Sequence, residues 1–185
     1  MRPSGRQAQL ERFIEDYSER GYQFAYRLSG SAEEAKELVQ EGFVRVMEKW
    51  DTYDASQPME NWFLTILRNI YMDGMKRYEK RRGVPLDAAI GPSGMTFAEF
   101  LHDGHDESLL ERLERQRATD EVQRAMDSLS PEHRAILTLC DVQGLTYVKA
   151  CDVLDAPLGT VRSRMNRART AFRKAMLEHA REVEI

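Results

Sequence analysis

The chain has 185 residues, 42% hydrophobic and 31% charged, with 27 basic against 31 acidic residues and a formal net charge of −4. That balance is globular rather than disordered, and no run reaches the roughly 18 apolar residues that a membrane span needs. The opening MRPSGRQAQLERF has no apolar core followed by small residues, so no signal peptide is expected and the chain is placed in the cytoplasm.

The first predicted helix runs from about Gln7 to Leu28. Leu10, Phe13, Ile14, Tyr17, Phe24 and Leu28 recur at helical spacing, with a weak point at Gly21 and a stop at Gly30. Ser31-Ala-Glu-Glu34 opens the second as a capping box, in which the Ser31 hydroxyl accepts an amide three residues on and Glu34 reaches back. Ala35, Leu38, Val39, Gly42, Phe43, Val46, Met47 and Trp50 follow as an apolar stripe. Glu33, Glu37, Gln40 and Glu41 lie opposite it.

Asp51 to Pro58 reads as a loop, with Pro58 suited to the first position of a third helix. Met59, Trp62, Phe63, Ile66, Leu67 and Ile70 continue the pattern. That helix ends in KRYEKRR, residues 76–82, with five basic residues and one acid. Three helices sharing apolar faces predict one small domain over residues 7–82. Residues 83–119 read as a flexible linker rich in Gly, Pro and Ser at its start, and Gly83 to Glu121 holds nine acids against three arginines. Helical character returns from about Glu107.

A second domain is expected over 120–180. Ser130-Pro131 caps a helix, Thr146 caps a short one over Tyr147 to Leu154, Asp155-Ala-Pro157 breaks the chain, and a last helix starts near Thr160. No segment alternates with the period of a strand. The expected class is therefore all-α: two small helical domains joined by a flexible acidic linker, the C-terminal one a helix-turn-helix.

Thr146 to Arg169 (TYVKACDVLDAPLGTVRSRMNRAR) has the layout of a helix-turn-helix, whose second helix enters the DNA major groove. From Gly159 to Lys174 there are five arginines and one lysine and no acid. Thr160 and the first amides suit a phosphate at the helix N-terminus. Arg162, Ser163, Asn166 and Arg167 can reach base edges or phosphates, since arginine reads guanine bidentately and asparagine suits adenine. Arg164, Arg169, Arg173 and Lys174 spread around the helix toward phosphates or surface pairs, and Val161, Met165, Ala168 and Phe172 form the buried stripe. Basic patches flanking an acidic middle point to two contacts with a polyanion.

These residues carry a resemblance. PLGTVRSRMNRAR after TYVKACDVLDA resembles the fourth-region helix-turn-helix of bacterial RNA polymerase sigma factors, and more narrowly their extracytoplasmic-function (ECF) group. AKELVQEGFVRVMEKWDTYD is similar to the sigma helix that docks on the clamp helices of the polymerase largest subunit, and WFLTILRNIYMDGMKRYEKRR to the helix that reads the promoter −10 element.

The resemblance implies a sigma factor that binds core polymerase and directs promoter-specific initiation. Its partners would be the clamp helices and the beta-subunit flap of core RNA polymerase, promoter DNA and an anti-sigma factor, with no cofactor and no enzymatic activity. Glu37, Gln40, Glu41 and Met47 would meet the polymerase. Asn69, Asp73, Lys76, Arg77 and Lys80 would follow the −10 strand. Tyr53 or Trp62 would be available to a flipped base, although Trp62 also suits the core. Thr160, Arg162, Ser163, Arg164, Asn166, Arg167 and Lys174 would read or hold the −35 element. The acidic linker would thread near the polymerase active-site channel. About 36 linker residues at up to roughly 3.3–3.6 Å each can span over 100 Å, against roughly 50 Å for one and a half duplex turns between the elements.

The chain departs from the family at Asp155, where glycine is common and where aspartate also tolerates the left-handed region. Val148 and Lys149 replace frequent acids. Thr65 and Ile66 stand where housekeeping sigma factors carry melting aromatics.

Other chemistry finds less support. His102 and His105 lack further nitrogen or sulfur ligands for a metal. The two cysteines, Cys140 and Cys151, form no disulfide framework and suit small core sites. No phosphate loop, nucleophile elbow or paired catalytic carboxylate is present. The competing readings are a stand-alone helix-turn-helix regulator with an N-terminal sensing or dimerisation domain, and a polymerase-binding protein that does not direct initiation.

Overall fold

The computed structural model describes residues 5–82 and 109–183. His102, His105 and most of the expected linker lie outside the described residues. Within them the chain is helical, with no strand: α1 (Gly5–Ser29), α2 (Ala32–Lys49), α3 (Met59–Arg82), α4 (Leu109–Asp127), α5 (Pro131–Leu137), α6 (Tyr147–Leu154) and α7 (Leu158–Val183). A short 3-10 turn (Trp50–Thr52) follows α2, and α5 widens into a π turn over Thr138–Val142. No helix among the described residues is long and apolar enough to cross a membrane.

Helices α1, α2 and α3 pack together around Phe63. Its ring meets Phe13 edge-on at a centroid distance of 5.3 Å and stacks on Phe43 at 5.0 Å. Both neighbouring helices have notches for it. A Cβ at Gly21 would lie 2.5 Å from Phe63 Cε1, and one at Gly42 would lie 2.5 Å from Leu67 Cδ2 and 3.2 Å from Phe63. Gly21 is thus no weak point. α1 runs straight through it, because the missing side chain is what lets α3 approach. Loss of helix propensity at glycine, about 1 kcal/mol, is offset by that contact.

The helix ends are set locally. Gly30 ends α1 at φ +72°, where a left-handed residue closes the turn. The Ser31 Oγ accepts from the Glu34 amide at 3.4 Å, but the reciprocal bond is not Glu34's: the Ser31 amide donates to Ser29 Oγ at 3.3 Å. Ser130 caps α5 with Pro131 in the first turn, and Thr146 caps α6 through the Lys149 amide. Asp155 ends α6 at φ 48°, ψ 54°, so the left-handed turn is made without glycine.

The C-terminal helices bury Ile136, Leu139, Val153, Val161, Met165 and Ala168, and this core is continuous with that of the N-terminal helices. α3 packs against α6 and α5, and α1 against α4, α5 and the π turn. Cys140 and Cys151 are free thiols, both partly buried. Burial, reinforced by Asp141, lifts the Cys140 thiol to about 11, which leaves it an inert packing group at neutral pH.

Gly42→Ala is expected to destabilise by up to about 2 kcal/mol, the net of overpacking and improved propensity. Leu67→Ala alone should cost about 2–5 kcal/mol. In the double variant the new methyl group fills part of the Leu67 cavity, so urea unfolding should show a cost smaller than the sum. Strict additivity would contradict the notch.

Candidate nucleic-acid and polymerase interface

Burial of one stripe on each helix determines what the other face presents. On α2, Ala35, Leu38, Val39, Gly42 and Val46 are buried, which turns Glu37, Gln40, Glu41 and Met47 outward. Met47 is 42% exposed, and so is Val44 at 46%. Val44 lies between Gln40 and Met47 at helical spacing and was missed in the sequence. Its signal was an apolar residue one step outside the buried stripe. Arg45 spans Glu41 at 3.2 Å and Glu48 at 3.9 Å, whereas Glu33 and Glu37 are exposed and make no ion pair among the described residues.

The loop after α2 is a closed turn. Asp54 Oδ1 accepts from the Ser56 amide at 2.9 Å, and that bond with the one to the Ser56 hydroxyl holds the Asp54 carboxyl below its ordinary range. The Tyr53 hydroxyl donates to the Gln57 carbonyl. The Tyr53 ring lies 4.8 Å from that of Trp62, tilted by 42°, and Trp50 meets Trp62 edge-on at 6.5 Å. Trp62 is half-buried, so it belongs both to the edge of the core and to an aromatic ledge beside the loop.

From that ledge a polar face continues along α3. Asn69, Asp73, Lys76, Arg77 and Lys80 are all exposed at a spacing of three or four. Ile66 is buried, and the Thr65 hydroxyl donates to the Asn61 carbonyl at 2.7 Å. Neither supplies an aromatic surface here. Asp73 sits 3.8 Å from Lys76, and Arg77 Nε donates to the Asp73 carbonyl at 3.2 Å.

On α7, Val161, Met165 and Ala168 are fully buried and anchor the helix on α5 and α6. Thr160, Arg162, Ser163, Asn166 and Arg167 are exposed on the other side. The cations of this helix fall into two groups. Arg164 pairs with Glu132 at 3.1 Å with only 19% of its side chain exposed. Arg169 holds Asp141 through two bonds, at 2.7 and 3.1 Å. Lys174 lies 3.7 Å from Glu178. Arg162, Arg167 and Arg173 are exposed and make no ion pair among the described residues; Arg167 Nε donates only to the Ser163 carbonyl, at 3.4 Å. The unpaired cations therefore share a face with Ser163 and Asn166, while Arg164 is directed toward α5.

Both halves match known families. Sigma-70 region 2 matches residues 13–82, which is α1 to α3, and Sigma-70, region 4 matches residues 119–172, from the end of α4 into α7. The chain is 33% identical over 174 residues to the ECF RNA polymerase sigma factor SigE of Mycolicibacterium smegmatis, covering 93% of this chain and 63% of that protein. It is 32% identical over 147 residues to the ECF RNA polymerase sigma factor EcfG of Rhodopseudomonas palustris, covering 80% of this chain and 74% of that one. This chain belongs to the ECF group of sigma factors. The fold agrees: the sigma factor RpoE of Bartonella quintana, solved with the anti-sigma factor NepR, superposes with a TM-score of 0.69 at 23% identity, over 91% of this chain and 96% of that one.

In this sigma factor the aromatic ledge lies within region 2, and Arg162 and Arg167 lie within region 4. Tyr53→Ala should uncover Trp62, shifting tryptophan emission to longer wavelength with unchanged helix content. The stability cost should be about 0.5–1.5 kcal/mol, the size of one aromatic pair. An unshifted spectrum would show that Tyr53 does not cover that ring.

Proposed function

We propose that this ECF sigma factor binds core RNA polymerase and directs initiation at promoters carrying a −10 and a −35 element. The proposed division is a docking and −10 domain over 7–82, a linker over 83–119 and a −35 domain over 120–180. Glu37, Gln40, Glu41 and Met47, with Val44 between them, would face the polymerase clamp helices, and the C-terminal domain would face the beta-subunit flap. Asn69, Asp73, Lys76, Arg77 and Lys80 would track the −10 strand from the ledge of Tyr53 and Trp62, where stacking holds an unpaired base without reading its edge. An anti-sigma factor is the proposed negative partner, as for the Bartonella quintana neighbour solved with NepR. The site of action is the cytoplasm, and the chemistry of bond formation belongs to the polymerase.

The observation that carries the −35 assignment is the sorting of cations on α7. Arg162 and Arg167 remain free of carboxylates on the face that also holds Ser163 and Asn166, whereas Arg164, Arg169 and Lys174 are engaged by acids. A free arginine beside an asparagine can make bidentate contacts to guanine and adenine. Arg164 and Lys174 would then act at phosphates only if they leave their partners. Surface pairs worth about 0–1 kcal/mol permit that exchange for Lys174.

Run-off transcription with core polymerase and a promoter library tests the reading. Start sites should be specific and should need both chain and core. Arg162→Ala or Asn166→Ala should weaken recognition at one −35 position by about 1–3 kcal/mol, while Lys174→Ala should weaken all templates alike. Tight, sequence-specific duplex binding without polymerase would instead favour a stand-alone regulator.

A further inference from the structure

The turn between α2 and α3 spends its polar side chains on itself until Gln57. Asp51 pairs with Arg6 at 3.2 Å. The Thr52 hydroxyl donates to the Lys49 carbonyl at 2.8 Å. The Asp54 carboxylate accepts from the Ser56 amide, at 2.9 Å, and from the Ser56 hydroxyl. The Tyr53 hydroxyl donates to the Gln57 carbonyl. On the first turn of α3, Glu60 is held by Arg20 at 2.7 Å and Asn61 is buried. The side-chain amide of Gln57 is exposed and makes no hydrogen bond among the described residues.

Gln57 is also fixed in place. Its N–H donates to the Asp54 carbonyl at 3.0 Å while its carbonyl accepts from the Tyr53 hydroxyl, so both backbone groups are satisfied. The side chain therefore leaves the chain at the hydroxyl edge of the Tyr53 ring, which lies 4.8 Å from that of Trp62. A base stacked on this ledge is held by its face, which all four bases share. Its edge then projects past the Tyr53 hydroxyl toward the Gln57 amide. A residue whose backbone is already set gives up less freedom when it binds.

We infer that Gln57 is the residue that reads the edge of the unpaired base, and that the base it selects is adenine. This inference rests on the −10 reading of the N-terminal domain. A primary amide offers an N–H donor beside a carbonyl acceptor. On the edge exposed in the major groove, adenine presents the matching acceptor and donor side by side, at N7 and N6. Guanine offers two acceptors there, cytosine a donor and thymine an acceptor. Adenine therefore makes two hydrogen bonds to Gln57 where each of the others makes one. The ledge supplies the grip and Gln57 the choice. Tyr53 serves that choice as a positioning residue, through the carbonyl it holds.

The test uses the full chain with core polymerase and a promoter library randomised across the −10 element. Wild type should enrich adenine at one −10 position by roughly 5- to 150-fold. Gln57→Ala should abolish that preference while the choices at the other −10 positions and at −35 persist. Gln57→Glu keeps the length of the side chain and loses the donor, so it should not restore adenine; a Glu variant that selects adenine as wild type does would reduce Gln57 to a structural role. Tyr53→Phe keeps a stacking ring and releases the Gln57 carbonyl, so it should narrow the preference at the same position, and an unchanged preference would remove the positioning role of Tyr53. Circular dichroism checks that each variant retains its helix content. A preference for another base at the position that Gln57→Ala alters, or an adenine preference that Gln57→Ala leaves intact, overturns the inference. If wild type selects no base anywhere in the −10 element, the −10 reading fails and the role of Gln57 with it. Selection in that element that is blind to Gln57 leaves the −10 reading standing and removes only the role of Gln57.

Discussion

Phe63 is the side chain on which the N-terminal half depends. It fills the space between two helices that each set aside a glycine for α3 and stacks on Phe43. Interiors packed to crystal-like density tolerate little rotation, so seating this ring fixes the setting of α2 and α3 about their own axes. Once Ala35, Leu38, Val39 and Val46 face inward, Glu37, Gln40 and Glu41 must face out. Once Phe63, Leu64 and Leu67 are buried, Asn69, Asp73, Lys76 and Lys80 line a solvent face. The functional surfaces follow from where the core lies.

Charge follows a second rule. Exposed ion pairs stabilise little, and their effect on α7 is to remove cations from availability. Arg164, Arg169 and Lys174 are engaged by Glu132, Asp141 and Glu178, which leaves free positive charge at Arg162, Arg167 and Arg173. Arg134 obeys different energetics. Burial makes each missing partner costly, and its guanidinium meets that cost largely with backbone carbonyls from both halves of the molecule. The side chain that closes the C-terminal turn around Leu129 therefore also ties that half to α1.

Much of this was legible in the residue order, because it is governed by neighbours three or four positions away. The caps at Ser31, Ser130 and Thr146, the buried stripe of α7 and the left-handed Asp155 all depend on local geometry. The misreadings involve distant partners. Gly21 looked like a helix weak point because its reason lies in α3. Glu34 was expected to complete a capping box, but Ser29 is nearer to the amide. Arg134 carries no local signal of its role, since its acceptor at Leu28 is 106 residues away. Val44 went unnoticed because a single apolar residue outside the stripe is a weak local signal. The pairing of Arg164 could be anticipated only as one of two options, because Glu132 belongs to another helix.

The assignment of the exposed α2 face to the polymerase is tested most directly by equilibrium binding of the full chain to core enzyme, comparing wild type with Glu37→Lys, Glu41→Lys. The face is exposed and opposite the buried stripe of α2, and losing the exposed Glu41–Arg45 pair costs about 0–1 kcal/mol, so the variant should keep its helix content and unfold within a few degrees of wild type. Its affinity for core should fall at least tenfold, with a weaker salt dependence as acidic contacts are lost. A folded variant that binds core as tightly as wild type would contradict the assignment and, with it, the docking role given to the N-terminal half.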